Sequence, residues 1–374
     1  MIPSNTYKVL LVDLARSFGG AEVRVISQAA ALNEAVGGCG VAVLANSPIH
    51  LRLQKLGIPC EVIRAGRASP LTALTLRHII KRGGYTIVDA HNVQSILWGH
   101  LGAQWAGVKG CVATIHSDYG AEYPGWKGQV YEAVLKFNAR YCKQYINVTE
   151  VLQTKAEERG WGDRSTLIHN AVPIPSWPID PPDHDLRASW GFGPNDFVIG
   201  IAARLKPVKG HTYLIEAIAQ LKDLAQVKLV ILGDGPLRED LERQVRERGI
   251  TDKVHFAGFR EDILRMLPSI DCSALVSLSE ALPFAVLEAA SYARPLLCTN
   301  VGGLATLLED NRTAILVPPG DAGAIAAAIR RLARDPELCR RLGTSAYQYV
   351  GEHFSLSRMV EKTLGVYEKA LAEV

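Results

Sequence analysis

Four charged residues in the second half of the chain have the types and spacing of a site for a diphosphate. Arg204 follows the apolar run Gly200-Ile201-Ala202-Ala203, and Lys209 comes five residues later, before a helical pattern. Two fixed cations at the end of a strand suit a diphosphate, because guanidinium and ammonium groups pair with phosphate oxygens. The alternative interpretation of this segment alone is a basic surface turn.

The other two charged residues are Glu280 and Glu288, which lie eight residues apart in the run Ser279-Glu280-Ala281-Leu282-Pro283-Phe284-Ala285-Val286-Leu287-Glu288. Pro283 is placed to begin a helix, so amides of Phe284, Ala285, Val286 and Leu287 are expected near an anion. We expect Glu288 to accept hydrogen bonds from ribose hydroxyls and Glu280 to accept them from sugar hydroxyls. The alternative is that both carboxylates are helix-capping or surface charges.

Glycine-rich and aromatic turns end several other apolar runs. Gly233-Asp234-Gly235-Pro236 follows one strand pattern, and Phe259-Arg260 follows the next, where backbone groups can meet a planar base. In the first half, Gly19 and Gly20 precede a helical pattern and can bring amides close to an anion. A purely structural role for each turn remains an alternative. Neither a Gly-x-Gly-x-x-Gly dinucleotide fingerprint nor a phosphate-binding Walker A loop occurs in the sequence.

Short apolar runs alternate with longer helical patterns along the whole chain, which indicates parallel sheets covered by helices on both faces. The predicted strands are 7–13, 40–45, 60–64, 86–90, 110–115, 144–148, 166–168, 197–202, 227–232, 253–257, 272–277, 295–299 and 314–317. Residues 171–183 hold five prolines in thirteen residues, which favours a linker. The sequence therefore predicts an α/β protein of two doubly wound Rossmann-like domains, over 1–175 and 185–354. Ligands of such sheets bind beyond the carboxyl ends of the strands, so we expect a site in a cleft between two facing rows of strand ends.

The charge balance limits the classes of partner. The net charge of +3 is too small to favour nucleic acid. Residues 1–175 nevertheless carry 18 Lys and Arg against 12 Asp and Glu. This basic half favours an anionic acceptor or a peripheral contact with an anionic membrane, although unevenly distributed surface charge also explains it. The basic residues that could form such a contact are Arg77, His78, Lys81, Arg82, Lys127, Lys136, Arg140 and Lys143.

Cysteine usage and hydropathy predict the compartment. The seven cysteines are scattered, and none forms a Cys-x-x-Cys pair. We expect reduced thiols in the cytoplasm. The sequence shows no secretory signal and no apolar run long enough to span a membrane, so any membrane contact is expected to be peripheral, on the inner face. No His/Cys cluster with metal-ligand spacing occurs in the sequence, so we expect no metal site.

Seven landmarks occur in order along the chain, and together they resemble one family. The chain is similar to retaining glycosyltransferases of the GT-B fold, specifically glycosyltransferase family 4. The landmarks are Phe18-Gly19-Gly20-Ala21-Glu22, Thr114-Ile115-His116, His169-Asn170-Ala171-Val172, Arg204 with Lys209, Gly233-Asp234-Gly235-Pro236, Glu280 with Glu288, and Gly302-Gly303.

The resemblance implies a role for most of these residues. Arg204 and Lys209 bind the donor diphosphate and stabilise the leaving group, Glu288 binds the ribose, and Glu280 binds the transferred sugar. His116 lines the sugar site from the first domain. Amides of Gly20, Val286 and Leu287 help to hold phosphate, and a last helix over 355–374 crosses back to the first domain.

The implied reaction transfers a sugar from a nucleotide-diphosphate sugar to an acceptor hydroxyl, with retention of anomeric configuration and with neither a metal nor a separate cofactor. The implied acceptor is a sugar or a lipid-linked molecule, in the synthesis of a polysaccharide or glycolipid. Two alternatives remain. A sugar-nucleotide epimerase of the same fold would release no glycoside, and a non-catalytic nucleotide-sugar-binding protein would lack a catalytic side chain.

Overall fold

The chain forms two compact units. The computed structural model describes residues 8–123, 125–179, 181–280 and 282–372, so Ala281 of the predicted Glu280–Glu288 segment lies outside the described residues. Unit 1 comprises Met1–Ala171 and Leu356–Val374, and unit 2 comprises Val172–Ser355. The proline-rich segment predicted as a linker therefore begins at the boundary, and its residues from Val172 onward belong to unit 2.

Unit 1 contains a seven-stranded parallel sheet with the order β3-β2-β1-β4-β5-β6-β7. Its central strands are apolar and buried on both faces, as expected of a sheet between two helical layers. The strands are β1 (Val9–Asp13), β2 (Cys39–Leu44), β3 (Glu61–Ile63), β4 (Ile87–His91), β5 (Gly110–Ile115), β6 (Gln144–Asn147) and β7 (Ser165–Leu167). The helices are α1 (Gly20–Val36), α2 (Pro48–Lys55), α3 (Leu71–Gly83), α4 (Val93–Ala106), α5 (Tyr119–Glu122), α6 (Trp126–Asn138), α7 (Glu150–Glu158) and, from the end of the chain, α16 (Leu356–Ala372).

Unit 2 contains a six-stranded parallel sheet with the order β10-β9-β8-β11-β12-β13. The strands are β8 (Phe197–Ala202), β9 (Val227–Leu232), β10 (Val254–Gly258), β11 (Cys272–Leu275), β12 (Leu296–Thr299) and β13 (Ile315–Val317). The helices are α8 (His184–Ser189), α9 (His211–Ala219), α10 (Arg238–Glu247), α11 (Ile263–Met266), α12 (Phe284–Ser291), α13 (Gly302–Leu307), α14 (Ala322–Arg334) and α15 (Pro336–His353).

The predicted fold class is confirmed: both units are doubly wound, Rossmann-like α/β domains. The thirteen predicted strands are all present in the described part of the chain, with ends that differ by at most two residues. Tyr7, the first residue of the strand predicted over 7–13, lies outside the described residues. The strand expected over 272–277 ends at Leu275 because the chain turns there into the loop that carries Glu280. None of the described helices is both long enough and apolar enough to cross a bilayer.

Candidate functional site

The sheet order of unit 2 places four strand ends side by side. Strands β9, β8, β11 and β12 are consecutive neighbours, so the loops after them share the carboxyl edge of the sheet. These loops carry Gly233, Arg204, Glu280 and Gly302, in that order. The edge that the sequence predicted for a ligand therefore gathers four of its candidate segments.

Arg204 lies two residues beyond the end of β8. Its side chain is exposed and makes no hydrogen bond or ion pair with any residue in the described part of the chain. Its backbone is held nonetheless, because Leu205 N donates to Asp234 O at 3.0 Å and Lys206 N donates to Arg204 O at 2.8 Å. The guanidinium is thus a cation on a fixed loop that none of the described residues neutralises.

Lys209 and Glu280 form an ion pair across the edge. Lys209 Nζ lies 2.5 Å from Glu280 Oε1, and the two side chains are only 20% and 8% exposed. Ser277 Oγ donates to the same Glu280 oxygen at 2.6 Å. Lys209 ends the short 3₁₀ turn Pro207–Lys209 rather than beginning an α-helix. Glu280, which was expected to meet the sugar, also fixes the position of the Lys209 ammonium.

Two glycines at this edge let backbones approach closely. A side chain at Gly302, whose φ is +47°, would bring its Cβ to 2.1 Å from Glu280 O. A Cβ at Gly233 would lie 2.0 Å from Ala203 O. Gly303 N also donates to Glu280 O at 3.0 Å. These glycines therefore allow close packing of the backbones that carry Arg204 and Glu280. Close packing is thus a structural reason for the glycine at position 233.

Helix α12 begins directly after Pro283, as predicted. The Val286 amide donates to Pro283 O at 3.2 Å. The amides of Phe284 and Ala285 come before the first hydrogen bond inside the helix, so they point out of the helix start. Val286 and Leu287 were expected to hold phosphate through their amides. The structure differs from this expectation at Val286, because its amide already has a partner.

Glu288 lies on α12, one turn into the helix. Burial raises the pKa of its carboxyl to about 7. No residue within the described ranges donates a hydrogen bond to this carboxylate. A half-buried acid without a described partner is open to a ligand that brings hydroxyl donors.

Phe259 and Arg260 follow β10, next to β9 at the sheet edge. Phe259 is 70% exposed. The Arg260 guanidinium is turned toward Asp262, with two hydrogen bonds of 2.9 and 2.8 Å. The side chain of Arg260 is therefore already paired, which leaves the backbone of this segment as its means of contacting a base.

In unit 1, His116 lies just after β5 and contacts a second histidine. His116 Nε2 is 2.9 Å from His91 Nδ1, so one ring donates a hydrogen bond to the other. Burial, together with the nearby His91 and Arg24, holds the pKa of His116 well below its usual value. His116 is therefore neutral at physiological pH.

A buried carboxylate lies behind this pair of histidines. Asp89 Oδ2 is 3.6 Å from His91 Nε2 and accepts hydrogen bonds from Tyr367 Oη at 2.7 Å and Gln28 Nε2 at 3.0 Å. Burial alone would raise the pKa of Asp89, but His91 and the hydrogen bonds from Tyr367 and Thr114 hold it at about 2. The array Asp89–His91–His116 thus leads from a permanently ionised carboxylate to the predicted sugar-site histidine.

The predicted glycine loop begins α1, with Gly19 as the N-cap and Gly20 as the first helical residue. Gly19 N donates to Glu22 Oε2 at 2.6 Å. That amide is therefore occupied by the protein's own carboxylate. The Gly20 amide is in the first turn, where helices leave amides without an internal partner.

Sequence reasoning missed three fully buried polar residues of unit 1: Asp13, Asp89 and His91. Asp13 ends β1, and burial, reinforced by the Glu22 carboxylate, raises its pKa to about 7. Its Oδ2 is buried without a hydrogen-bond partner among the described residues. The available signal was that acidic or histidine side chains interrupt or end two otherwise apolar strands, Val9–Asp13 and Ile87–His91.

The described residues contain no group of three or more His, Cys, Asp and Glu side chains arranged to hold a metal ion.

Two family models match the chain, one on each unit. Residues 18–174 match the model described as Glycosyltransferase Family 4, and residues 183–349 match the one described as Glycosyl transferases group 1. The "Putative glycosyltransferase EpsD" of Bacillus subtilis (strain 168) is 30% identical over 303 residues, which are 78% of this chain and 78% of that protein.

Two further comparisons cover most of the chain. The UDP-Gal:alpha-D-GlcNAc-diphosphoundecaprenol alpha-1,3-galactosyltransferase of Escherichia coli is 24% identical over 305 residues, 79% of this chain and 78% of that one. HepE of Anabaena, solved in complex with UDP, has a TM-score of 0.80 at 24% identity and covers 98% of this chain and 100% of its own. Some other relatives are matched over only about half of their own length. The two family models and the EpsD match together show that this chain belongs to glycosyltransferase family 4, with the two Rossmann-like domains of the GT-B fold.

Proposed function

We propose that this glycosyltransferase uses a uridine-diphosphate sugar as donor, transfers a hexosyl group with retention of anomeric configuration, and needs no metal. The observation that carries the proposal is the pair of cations at the carboxyl edge of unit 2, where Arg204 has no partner among the described residues and Lys209 is fixed by Glu280. The choice of uridine follows from HepE, which has been solved with UDP and with UDP-glucose.

In the proposed reaction the bond between the sugar C1 and the diphosphate oxygen breaks, and negative charge develops on the distal phosphate. Arg204, Lys209 and the amides of Phe284 and Ala285 stabilise that charge, which is the principal catalytic effect. The acceptor hydroxyl attacks C1 from the same face and forms the new C1–O bond. Its proton passes to the departing phosphate oxygen, so no nucleophilic carboxylate is required. An anomeric proton signal showing inversion in the product would contradict this path.

The epimerase and non-catalytic alternatives lose support, because the matching families and relatives described above are glycosyltransferases. Glu280 and Glu288 keep the proposed roles toward the sugar and the ribose, and His116 keeps its role in the sugar site of unit 1. Gly19, Gly20 and Gly233 are proposed to shape the backbone near the donor, and Phe259 and Arg260 to contact the base.

A melting-temperature screen in EDTA tests both the donor and the absence of a metal. The full chain is heated with UDP, UDP-glucose, UDP-galactose, UDP-N-acetylglucosamine and GDP-mannose. A ligand present at 100 times its Kd stabilises the native state by about 2.7 kcal/mol. We expect UDP and at least one UDP-sugar to raise the melting temperature. No shift with any nucleotide would overturn the proposal, and a shift that appears only after Mg²⁺ or Mn²⁺ is added would overturn metal independence.

We further propose that unit 1 contacts an anionic membrane through the layer of α3, α4 and α6, which would bring a lipid-linked acceptor within reach. Helix α4 packs against both of the others. The large apolar side chains exposed on this layer are Leu71, Leu74, Trp105, Trp126, Val130 and Phe137, between 38% and 71% exposed. Trp126, Val130 and Phe137 repeat at helical spacing on α6, so they share one face.

Exposed basic side chains flank these apolar residues, as expected of an interfacial surface. They include Lys127 and Lys136 on α6, Arg140 just after α6, and Arg77, His78 and Lys81 on α3. Arg82 is paired with Glu61 at 2.5 Å, so it contributes less charge than the sequence suggested. The E. coli relative acts on a diphosphoundecaprenol-linked sugar, and that acceptor class is proposed for this chain as well.

Vesicle sedimentation checks this surface. We expect the chain to sediment with phosphatidylglycerol-containing vesicles at low salt and not with pure phosphatidylcholine. Trp126→Ser/Val130→Ser should reduce the bound fraction severalfold, since it removes two exposed apolar anchors. Val151→Ser is the matched control, because Val151 is 65% exposed on α7, outside the layer. Equal binding of both variants and the parent would contradict the assignment.

A further inference from the structure

A second concave site lies in unit 1, at the carboxyl ends of β1, β2 and β3. It is a pocket of about 390 Å³, lined by Arg16 after β1, residues 44–48 after β2, and residues 63–67 after β3. Carboxyl ends of parallel strands are where α/β sheets bind ligands. None of the roles proposed above uses this pocket.

The pocket is lined by three arginines and by no acidic residue. Arg16 and Arg64 are exposed, and neither forms a hydrogen bond or an ion pair with any residue of the ranges that the structure describes. Arg67 donates to the neutral Gln94 Oε1 at 2.5 Å, and its Nε is buried without a described partner. Three guanidiniums therefore line one pocket without a carboxylate in its lining to neutralise them.

The loop that carries two of these arginines is fixed before any ligand arrives. Trp98 Nε1 donates to Arg67 O at 2.9 Å, and Thr72 Oγ1 donates to Gly66 O at 3.0 Å. The amides of the neighbouring loop already have partners, since Asn46 N donates to His50 Nδ1 and Ala45 N donates to Ile63 O. Recognition in this pocket must therefore come from the guanidiniums rather than from the start of α2.

The charge favours a phosphorylated ligand. Guanidinium groups bind phosphate through paired N–H donors, and three of them match a diphosphate better than a single carboxylate. The pocket also adjoins the buried Asp13 of unit 1. Arg67 donates to Gln94 in the first turn of α4, and Asn92, which caps the start of that helix, donates to Asp13 Oδ1 at 2.9 Å. His91, which ends β4 and directly precedes Asn92, contacts His116. A phosphate held by Arg67 would leave the adjoining sugar of the same molecule near Asp13 and His116.

We propose that Arg16, Arg64 and Arg67 bind the phosphate or diphosphate group of the acceptor and thereby present its sugar hydroxyl to the cluster of Asp13 and His116. This inference rests on the proposed transferase function. Its ligand is either a membrane diphospholipid or a water-soluble sugar phosphate, which share this chemistry.

Inorganic pyrophosphate is the probe, titrated calorimetrically into the full chain at saturating UDP so that the donor diphosphate site is already filled. UDP binding is measured first, on its own, so that failure of the donor site is seen separately. We expect pyrophosphate to bind the UDP-loaded chain, and Arg16→Ala/Arg64→Ala to weaken that binding by at least tenfold with unchanged UDP affinity. Both side chains are exposed, so the variant should keep the parent's melting temperature. Lys109→Ala, which removes one exposed charge from unit 1 outside the pocket, should bind like the parent.

Competition identifies the source of the phosphate. Displacement of pyrophosphate by a polyprenyl diphosphate in detergent supports a lipid acceptor, and displacement by a sugar 1-phosphate supports a soluble one. Failure of both to displace it would overturn the acceptor assignment. No binding of pyrophosphate to the UDP-loaded parent, or equal binding by the double variant, would overturn the site itself.

Discussion

Replacing Lys209 by alanine is expected to reduce donor turnover by about 10²–10³-fold, the effect of removing one preorganised donor of an oxyanion site. Lys209 is held 2.5 Å from Glu280 Oε1 at the carboxyl edge of unit 2. Its charge is therefore already in place when the leaving diphosphate becomes negative. Release of UDP from the donor identified in the melting screen measures the rate without requiring a known acceptor.

The ion pair complicates this variant, because Lys209→Ala leaves the mostly buried Glu280 without its cation and should also lower stability. Lys209→Ala/Glu280→Gln removes both charges and separates the two effects.

Arg204→Ala is a second test, since the exposed Arg204 has no described partner to lose. We expect a comparable loss of turnover at an unchanged melting temperature. Lys222→Ala, on the exposed surface of unit 2, is the charge control. Parental UDP release by both Lys209→Ala and Arg204→Ala would refute the leaving-group assignment.

Replacing Glu288 by glutamine is expected to weaken UDP binding by about 10–100-fold at pH 8, because hydrogen bonds to a charged group contribute about 1.5–3 kcal/mol. Burial raises the pKa of Glu288 to about 7. In the parent, affinity for UDP should therefore rise as the pH increases through about 7, since the ionised carboxylate is the form that accepts two ribose hydroxyls. The variant should lose that pH dependence. Calorimetric titrations of UDP between pH 6 and 8.5 measure both effects.

The same substitution should have the opposite effect on the stability of the ligand-free chain. The folded pKa of about 7 lies above the ordinary glutamate pKa of 4.5, so the folded state binds more protons than the unfolded state between these values. The stability of the parent therefore falls as the pH rises from about 4.5 to above 7. We expect Glu288→Gln to melt at a higher temperature than the parent at pH 8 and to match it near pH 4. Glu239→Gln, exposed on α10, should show neither effect. A variant that is less stable than the parent at pH 8 would contradict the unpartnered state of Glu288.

The strand ends could be predicted because each depends on a few neighbouring residues. The runs Val9–Asp13, Phe197–Ala202 and Val227–Leu232 are apolar and buried throughout, apart from a polar residue or a partly exposed end. In a parallel sheet, the residues after such runs lie at one edge. Arg204, the Gly233 turn and Glu280 could therefore be assigned to the carboxyl edge of one sheet before the structure was known.

The partners of these residues could not be predicted. The Lys209–Glu280 pair joins side chains 71 positions apart, and it forms because β8 and β11 are adjacent although β9 and β10 lie between them in the chain. Arg260 was expected near the base, but its partner Asp262 is only two residues away and occupies its side chain. The Val286 amide was expected to be open, yet the first turn of α12 is tight enough for it to bond to Pro283 O.

The sequence by itself determined the two α/β domains, the edge of each sheet that carries the chemistry, and the residue types available there, because periodicity and turn residues act over short stretches of chain. Only the tertiary structure decided which of those charges are neutralised and which are free. It paired Lys209 with Glu280, left Arg204 and Glu288 without described partners, aligned Asp89, His91 and His116, and brought three arginines from two segments into one pocket. The physical reason is that the state of a charge depends on its spatial neighbours, and the order of strands in a sheet places residues together that are far apart in the chain.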